Sequence, residues 1–401
     1  MSLTKNRYKY FFYFILFIVL LVLLTTANTL SISYKEALNV FVNNSLLSLI
    51  TNTSIYIFDQ NDIALRLPFI FFYFLSVLLM YLSTQNFFKY EKDRFISIIV
   101  FMILPGLLSA GLLVNSAIVV TFFTILYVYY FKKTGKHSYL LLCLFLFIDN
   151  SFAIFFLALF FFSLSNRENK LLVVSLILFG LSMSIYGFDT GGKPKGFFVD
   201  TFGIYASIFS PLLFIYFLYS IYRIGVKGER TLVWYISATS LLFSLIFSMR
   251  QRVYIEDFAP FVVIFLPYMV RLYLHTLRVR LPIFRDKHNK LAIITMSVLF
   301  LNVFLTIYSK PVYLLIDNPQ KHFAYQYDFV KDISVFLKKY SINNVSSDDK
   351  KLLLRLKFYG IEEGNDYYIS TTTMKNYYKK IKVKYSGKDI YSLYIKKIKY
   401  E

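Results

Sequence analysis

Eleven apolar runs, most of them about 18–22 residues long, fix the solvent in which this chain folds before any motif is considered. They fall at 9–28, 66–88, 94–111, 114–131, 138–149, 151–164, 170–188, 203–222, 231–249, 253–270 and 291–309. A helix of about 20 residues crosses the hydrocarbon core of a bilayer, so the runs predict a polytopic α-helical membrane protein of about eleven spans. Of the 401 residues, 57% are hydrophobic and 20% aromatic, which sets aside the cofactor folds of soluble enzymes. The first run follows Arg7 and Lys9 as a signal peptide would. Its long apolar core and the weak small-residue site in TTANTLSIS favour an uncleaved span.

Charge orients the spans. With the N-terminus inside, the cytoplasmic turns are 89–94, 132–137, 165–170, 223–230 and 271–290, the last with Arg271, Arg278, Arg280, Arg285, Lys287 and Lys290. A single crossing at 138–164 would turn this basic loop outward. That segment is therefore read as a short helical hairpin turning at Asp149-Asn150-Ser151. The net charge of +21 reflects these turns and a Lys-rich tail, and implies the lipid bilayer as partner and no nucleic acid. Cys143 alone builds no disulfide framework, and four scattered histidines make no His-rich metal site.

Two domains are expected, a membrane part at 1–309 with a long outer loop at 29–65, and an extracytoplasmic α/β domain at 310–401. In the tail, 328–340 and 347–358 read as helices, the second capped by Ser347 or Asp348, and 342–345, 367–370, 380–385 and 390–398 read as strands. This domain is either a scaffold or a holder of the acceptor.

Polar residues on the outer side are the candidates for chemistry. Glu36 lies in the first turn of an expected interfacial helix at 34–49, where an anion is favourable. It is either a helix cap or a general base, or a ligand for a divalent cation held by a lipid phosphate. Lys35 offers a phosphate contact on a different face. Asp62 is read as the cap of the second span and as a partner for Arg66 four residues on. Asn115 is an N-cap of the fourth span, or a ligand to an ion or sugar hydroxyl. Asp149 sits at the hairpin tip, where an ionisable group is costly and usually has a use. Lys193 and Lys195, among glycines at 189–202, either grip a phosphate or fill an ordinary loop. Arg250-Gln251-Arg252, followed by Tyr254, Glu256 and Asp257, either binds a phosphate or forms a salt-bridged turn through Arg252 and Glu256. His322 is a candidate for orienting substrate.

The stretch EAL at 36–38 followed by NDIALRLPFIFFYFLSVLLMYL, with the hairpin, the RQR turn and the terminal domain, resembles the GT-C glycosyltransferases. More narrowly it is similar to the dolichyl-phosphate-mannose protein mannosyltransferase and aminoarabinose transferase group. The resemblance is architectural over about 310 residues and motif-level only over the first two spans. It implies sugar transfer from a polyprenyl-phosphate donor to a lipid, glycan or protein acceptor at the outer face of a bacterial inner membrane. It makes Glu36 the catalytic base, with Lys35, Arg66, Lys193, Lys195, Arg250 and Arg252 near the donor phosphate. Asn115, Asp149, Tyr254 and His322 fall to substrate. Two acids of the family pattern are replaced here, by Lys35 and Asn115. If a divalent cation takes part, Glu36 and Asn115 are its expected ligands. The rival readings are a catalytically lapsed scaffold in envelope assembly and a lipid-linked glycan transporter, although no internal repeat supports the latter.

Overall fold

The computed structural model describes residues 2–187, 196–374 and 377–398. Among the described residues six helices are long and apolar enough to cross a membrane: Arg7–Thr29, Asp62–Ser83, Ser116–Thr134, Asn169–Tyr186, Ala259–Val279 and Pro282–Ile307. Two helix pairs, Glu91–Met102 with Pro105–Leu112 and Phe198–Phe209 with Pro211–Lys227, raise the number to eight if each is one bent span. The chain is thus a polytopic helical membrane protein of six to eight candidate spans. The runs at 151–164 and 231–249 form the shorter apolar helices Phe152–Asn166 and Leu232–Ser248. The run at 138–149 yields only Tyr139–Phe145.

The bends have local causes. Proline cannot donate to the preceding turn and pushes its predecessor out of helical geometry. Pro105 follows the 53° break, and Pro211 follows Ser210, whose φ of 77° marks the 103° one. A short helix, Ala259–Val263, breaks at Ile264-Phe265 before the helix Leu266–Val279, each with a proline, Pro260 or Pro267, in its first turn. Ser240 Oγ donates to Phe258 O at 2.9 Å and Ser237 Oγ to Phe261 O at 2.7 Å. Two serines on one neighbouring helix thus add donors to carbonyls in an apolar interior, where Phe258 O also accepts from Phe261 N at 3.1 Å.

The chain divides into two compact units, residues 1–20 with 69–303, and residues 21–68 with 304–401. The first unit is packed largely by aromatic rings. Phe145 stacks on Phe152 at 4.3 Å, and Phe155 meets Phe261 at 6.0 Å. Tyr73 is fully buried and donates to Met102 O at 2.8 Å. Gly111 permits that placement, because a Cβ there would lie 2.7 Å from Tyr73 Cβ.

In the second unit a five-stranded sheet runs β1 (Asn344–Ser346), β2 (Glu362–Glu363), β3 (Tyr367–Ser370), β4 (Lys379–Tyr385) and β5 (Lys388–Lys397), in the order β2-β1-β3-β5-β4. β1 pairs in parallel with β2 and β3, and β5 pairs antiparallel with β3 and β4. Ser386 and Gly387, with φ of 49° and 84°, close the β4–β5 hairpin in the left-handed geometry that suits strand twist. The helices Val330–Lys339 and Lys350–Phe358 contribute Ile333, Leu337, Leu352 and Leu356 to one core with Val345, Ile369, Leu393 and Ile395. The second helix is capped by Asp349, whose carboxylate accepts from Lys351 N and Leu352 N, one residue beyond the expected caps.

Gly111→Ala is expected to cost about 1–3 kcal/mol by overpacking against Tyr73. Gly180→Ala, where a Cβ meets nothing within 4 Å, gains up to about 1 kcal/mol of helix propensity. Thermal melts of the two variants in detergent should move in opposite directions.

Candidate functional site

Ser33 opens the helix Tyr34–Phe41 with a capping box. Its hydroxyl accepts from Glu36 N at 3.2 Å, and Glu36 Oε2 accepts from Ser33 N at 2.8 Å. The same carboxylate oxygen accepts from Arg66 Nη2 at 3.1 Å. Arg66 Nη1 also donates to Ala27 O and Leu30 O, and Nη2 to Ser31 O, each at 2.9 Å. Arg66 therefore caps the carboxyl end of the helix Ser2–Thr29 while Glu36 sits at the amino end of the next. Each charge faces the helix end that favours it. The pair is almost sealed, with side-chain exposures of 0% and 2%. Lys35, by contrast, is exposed.

Around this pair the second unit ties residues 28–62 to residues 326–359. Asp62 is paired with Lys331 Nζ at 2.7 Å and accepts from Tyr359 OH at 2.7 Å. Tyr359 OH accepts in turn from Ile32 N at 2.9 Å. Burial and the Asp62 carboxylate push the phenol's pKa up, so it stays a donor. Among the described residues Arg355 donates to three carbonyls, those of Ile32, Gln326 and Asp328. Two expectations change here. Arg66 takes Glu36 as its ion-pair partner, and Asn61 Oδ1 rather than Asp62 accepts from Ala64 N, at 2.7 Å. The expected helix 34–49 is also two helices, Tyr34–Phe41 and Leu46–Phe58, because Asn43-Asn44 break it and Ser45 caps the second.

His322 is a packing residue in this unit. Its ring is buried and stacks on Tyr313 at 3.9 Å. Ala324 N donates to Nδ1 at 3.1 Å, so Nδ1 is unprotonated and Nε2 donates to Ser309 O, also at 3.1 Å. Burial lowers its pKa, in keeping with a neutral ring whose two nitrogens are both occupied.

The first unit carries a different cluster. Asp149 Oδ1 accepts from Ser151 N at 3.0 Å and from the Ser151 hydroxyl, which fixes the tight turn before the helix Phe152–Asn166. Ser151 Oγ also reaches Asp257 Oδ1 at 3.4 Å. Asp257 ends a short 3₁₀ turn ahead of the span Ala259–Val279. Burial, then the Asp149 and Glu256 charges, push its pKa up to about 7. Ser151 and Asp257 line a cavity of about 380 Å³ with Gln251, Arg252 and Tyr254. Arg252 and Tyr254 are exposed, and Arg252 forms no ion pair with Glu256 among the described residues. Arg250 is also exposed but lies outside the cavity lining. Asn115 caps the helix Ser116–Thr134 through Ala117 N at 2.8 Å. Lys193 and Lys195 lie outside the described residues.

The sequence candidates therefore gather in two groups, Glu36 with Arg66 in one unit, and Asp149, Arg252 and Tyr254 in the other. Sequence reasoning missed Tyr359, Lys331 and Arg355 as partners of the first loop, and the link from Asp149 through Ser151 to Asp257. Local pattern signals neither set, because each joins residues more than 100 positions apart. Among the described residues no three His, Cys, Asp or Glu side chains converge as metal ligands. The fold and its polar groups define a polytopic α-helical membrane protein with a small mixed α/β terminal domain. No protein family matches the chain, and no curated protein matches it.

Two measurements follow. Arg66→Ala leaves Glu36 buried without its cation and should cost about 3–5 kcal/mol. Glu36→Gln should cost less, and the double variant less than the sum, in a double-mutant cycle of detergent melts. For Asp257, the folded protein holds the proton to about 7, whereas the unfolded chain releases it near 3.8. Its stabilising contribution is complete below the lower value and is lost as pH rises through the upper one. Asp257→Asn should remove that limb from a plot of melting temperature against pH.

Proposed function

We propose that this protein is a GT-C-like glycosyltransferase. It moves a sugar from a polyprenyl-phosphate donor to a hydroxyl or amine of an envelope lipid, glycan or protein at the outer face of the membrane. The finer eleven-span topology, with a cytoplasmic N-terminus and an extracytoplasmic terminal domain, belongs to this reading and is supported by the basic turns at 89–94, 132–137, 223–230 and 271–290.

One observation carries the reading. The 380 Å³ cavity of the first unit is lined both by an arginine with no ion pair among the described residues, Arg252, and by a carboxylate, Asp257. Transfer from a lipid phosphate needs a cation for the leaving phosphate and a base for the acceptor. In this scheme the acceptor oxygen or nitrogen attacks the anomeric carbon. The bond from that carbon to the phosphate oxygen breaks, the phosphate leaves with the electron pair toward Arg252, and Asp257 receives the acceptor's proton. Tyr254 and Gln251 flank the reacting sugar. The resemblance assigns the base to Glu36. Its Oε2 is held by Arg66 and Ser33, so we assign Glu36 to positioning. No step is routed through a metal ion, because the described ligand set does not fit one.

A second reading is favoured by the same Glu36 geometry. Its capping box and ion pair account for that residue without catalysis, as in a scaffold of envelope glycan assembly. Complementation of a deletion strain separates the readings, with envelope glycans analysed by mass. Asp257→Asn is expected to cut transfer by about 10²-fold or more at normal protein abundance. Glu36→Gln should lower the glycan only in proportion to abundance. If abundant Glu36→Gln protein transfers nothing while Asp257→Asn is active, Glu36 is the base. Normal glycans with both variants, against an altered profile in the deletion, leave the scaffold.

A further inference from the structure

A second cavity, of about 480 Å³, opens in the first unit between the helix Pro282–Ile307 and the helices Glu91–Met102, Pro211–Lys227 and Leu266–Val279. Its volume is that of a small-molecule site. The helix Pro282–Ile307 barely packs. Only Leu299 is buried, and 6% of its apolar window is covered, against 56% for Ala259–Val279. One wall of the cleft is therefore a helix that the protein itself leaves largely uncovered. Along that helix the lining runs from His288 to Met296, about 12 Å at 1.5 Å per residue.

The cleft has two chemically different ends. At one end, where the helices Pro211–Lys227 and Leu266–Val279 begin, the wall is hydrocarbon, as at Val100, Leu213, Leu266 and Met296. At the other end stand Tyr219, Tyr273 and His288. The Tyr273 and His288 rings stack at 4.7 Å. Arg223 Nη1 donates to Tyr219 OH at 2.7 Å, and the Arg280 charge lies close enough to act on both Tyr273 and His288. The neighbouring cations are committed elsewhere. Arg278 pairs with Asp93 at 2.6 Å, and Arg285 donates to Arg280 O and Arg278 O. Arg280 is exposed and Arg223 half-buried, and neither forms an ion pair among the described residues. Between 271 and 290 the only acid is Asp286.

We propose that this cleft binds one acyl chain of an anionic phospholipid, whose phosphate meets Arg223 and Arg280. A transmembrane helix, about 10–12 Å across with its side chains, does not enter a cleft of this size. A sugar would find polar partners at one end only. A long chain with an anionic head matches both ends at once, and basic pockets between membrane helices are suited to such headgroups. The site is separate from the cavity at Asp257 and does not depend on glycosyl transfer.

Native mass spectrometry of the full chain tests this. The protein is stripped of lipid in detergent and offered equal amounts of phosphatidylglycerol and phosphatidylethanolamine with matched chains. The expected result is one retained phosphatidylglycerol, preferred roughly tenfold or more. Arg223→Gln with Arg280→Gln should bring the two lipids to parity. Ala292→Phe, which fills the lined wall, should weaken both. Neither arginine is buried or ion-paired among the described residues, so the double variant keeps the test decisive if Ala292→Phe does not fold, and a melt of each variant checks this. Equal retention of both lipids by the unaltered chain overturns the proposal. So does phosphatidylglycerol retention unchanged in the folded double variant, or a dimer that excludes lipid and assigns the cleft to a second copy.

Discussion

The buried ion pair between Glu36 and Arg66 is the contact on which the second unit is organised. A buried pair is weak evidence of net stability, because desolvating two charges consumes most of their attraction. Its value here is geometric. One guanidinium satisfies three carbonyls around the end of the first helix and a carboxylate at the start of the next. The turn at 30–33 is therefore defined by side chains rather than by loop length. Ser31 and Ile32 can then bond the terminal domain through Tyr327, Lys331, Tyr359 and Arg355.

That organisation explains which parts were legible in the sequence. The long apolar helices were legible because composition alone commits them to lipid. The helices near 330–339 and 350–358 and the strands at 367–370 and 379–385 followed from local periodicity and caps. Asn115 was legible as a cap for the same reason, since its partner is two residues away. The partner of Arg66 was not. Asp62, four residues distant on the same helix, is the natural choice by local spacing. The three carbonyls and Glu36 win because they lie where the first helix ends, which is tertiary information. The two-residue strand β2 is too short to carry an alternation, and its place depends on parallel pairing with β1. The break at 43–45 was readable, because Asn-Asn-Ser is a helix stop and restart that the apolar spacing on either side obscured.

The two acids singled out here sit in opposite electrostatic circumstances. Glu36 accepts from a guanidinium and a backbone N–H, which fix its side chain in place. Asp257 has burial and neighbouring carboxylates, and its ionised form is disfavoured. Groups whose environment holds them near neutral titration are suited to proton transfer, whereas a firmly paired carboxylate has to lose a partner before it can accept a proton. The resemblance points to Glu36 by its place in the chain. The electrostatics point to Asp257 by its surroundings. Place in the chain is inherited with the fold, but chemistry depends on what surrounds the group.

The cavity at Asp257 depends on the same device as the irregular backbone behind it. Ser151 bridges Asp149 and Asp257, while Ser237 and Ser240 hold the carbonyls of Phe261 and Phe258. A short hydroxyl can satisfy a carbonyl or carboxylate without adding charge, so serine lets non-helical backbone and paired acids persist among aromatic rings. Replacing Ser151 by alanine would remove the donor between the two carboxylates and raise the cost of ionising Asp257. The proton affinity of Asp257 is thus raised first by burial and then by Asp149 and Glu256, and Ser151 offsets part of that rise. The 138–164 segment, which supplies both Asp149 and Ser151, thereby tunes the acid that lines the cavity.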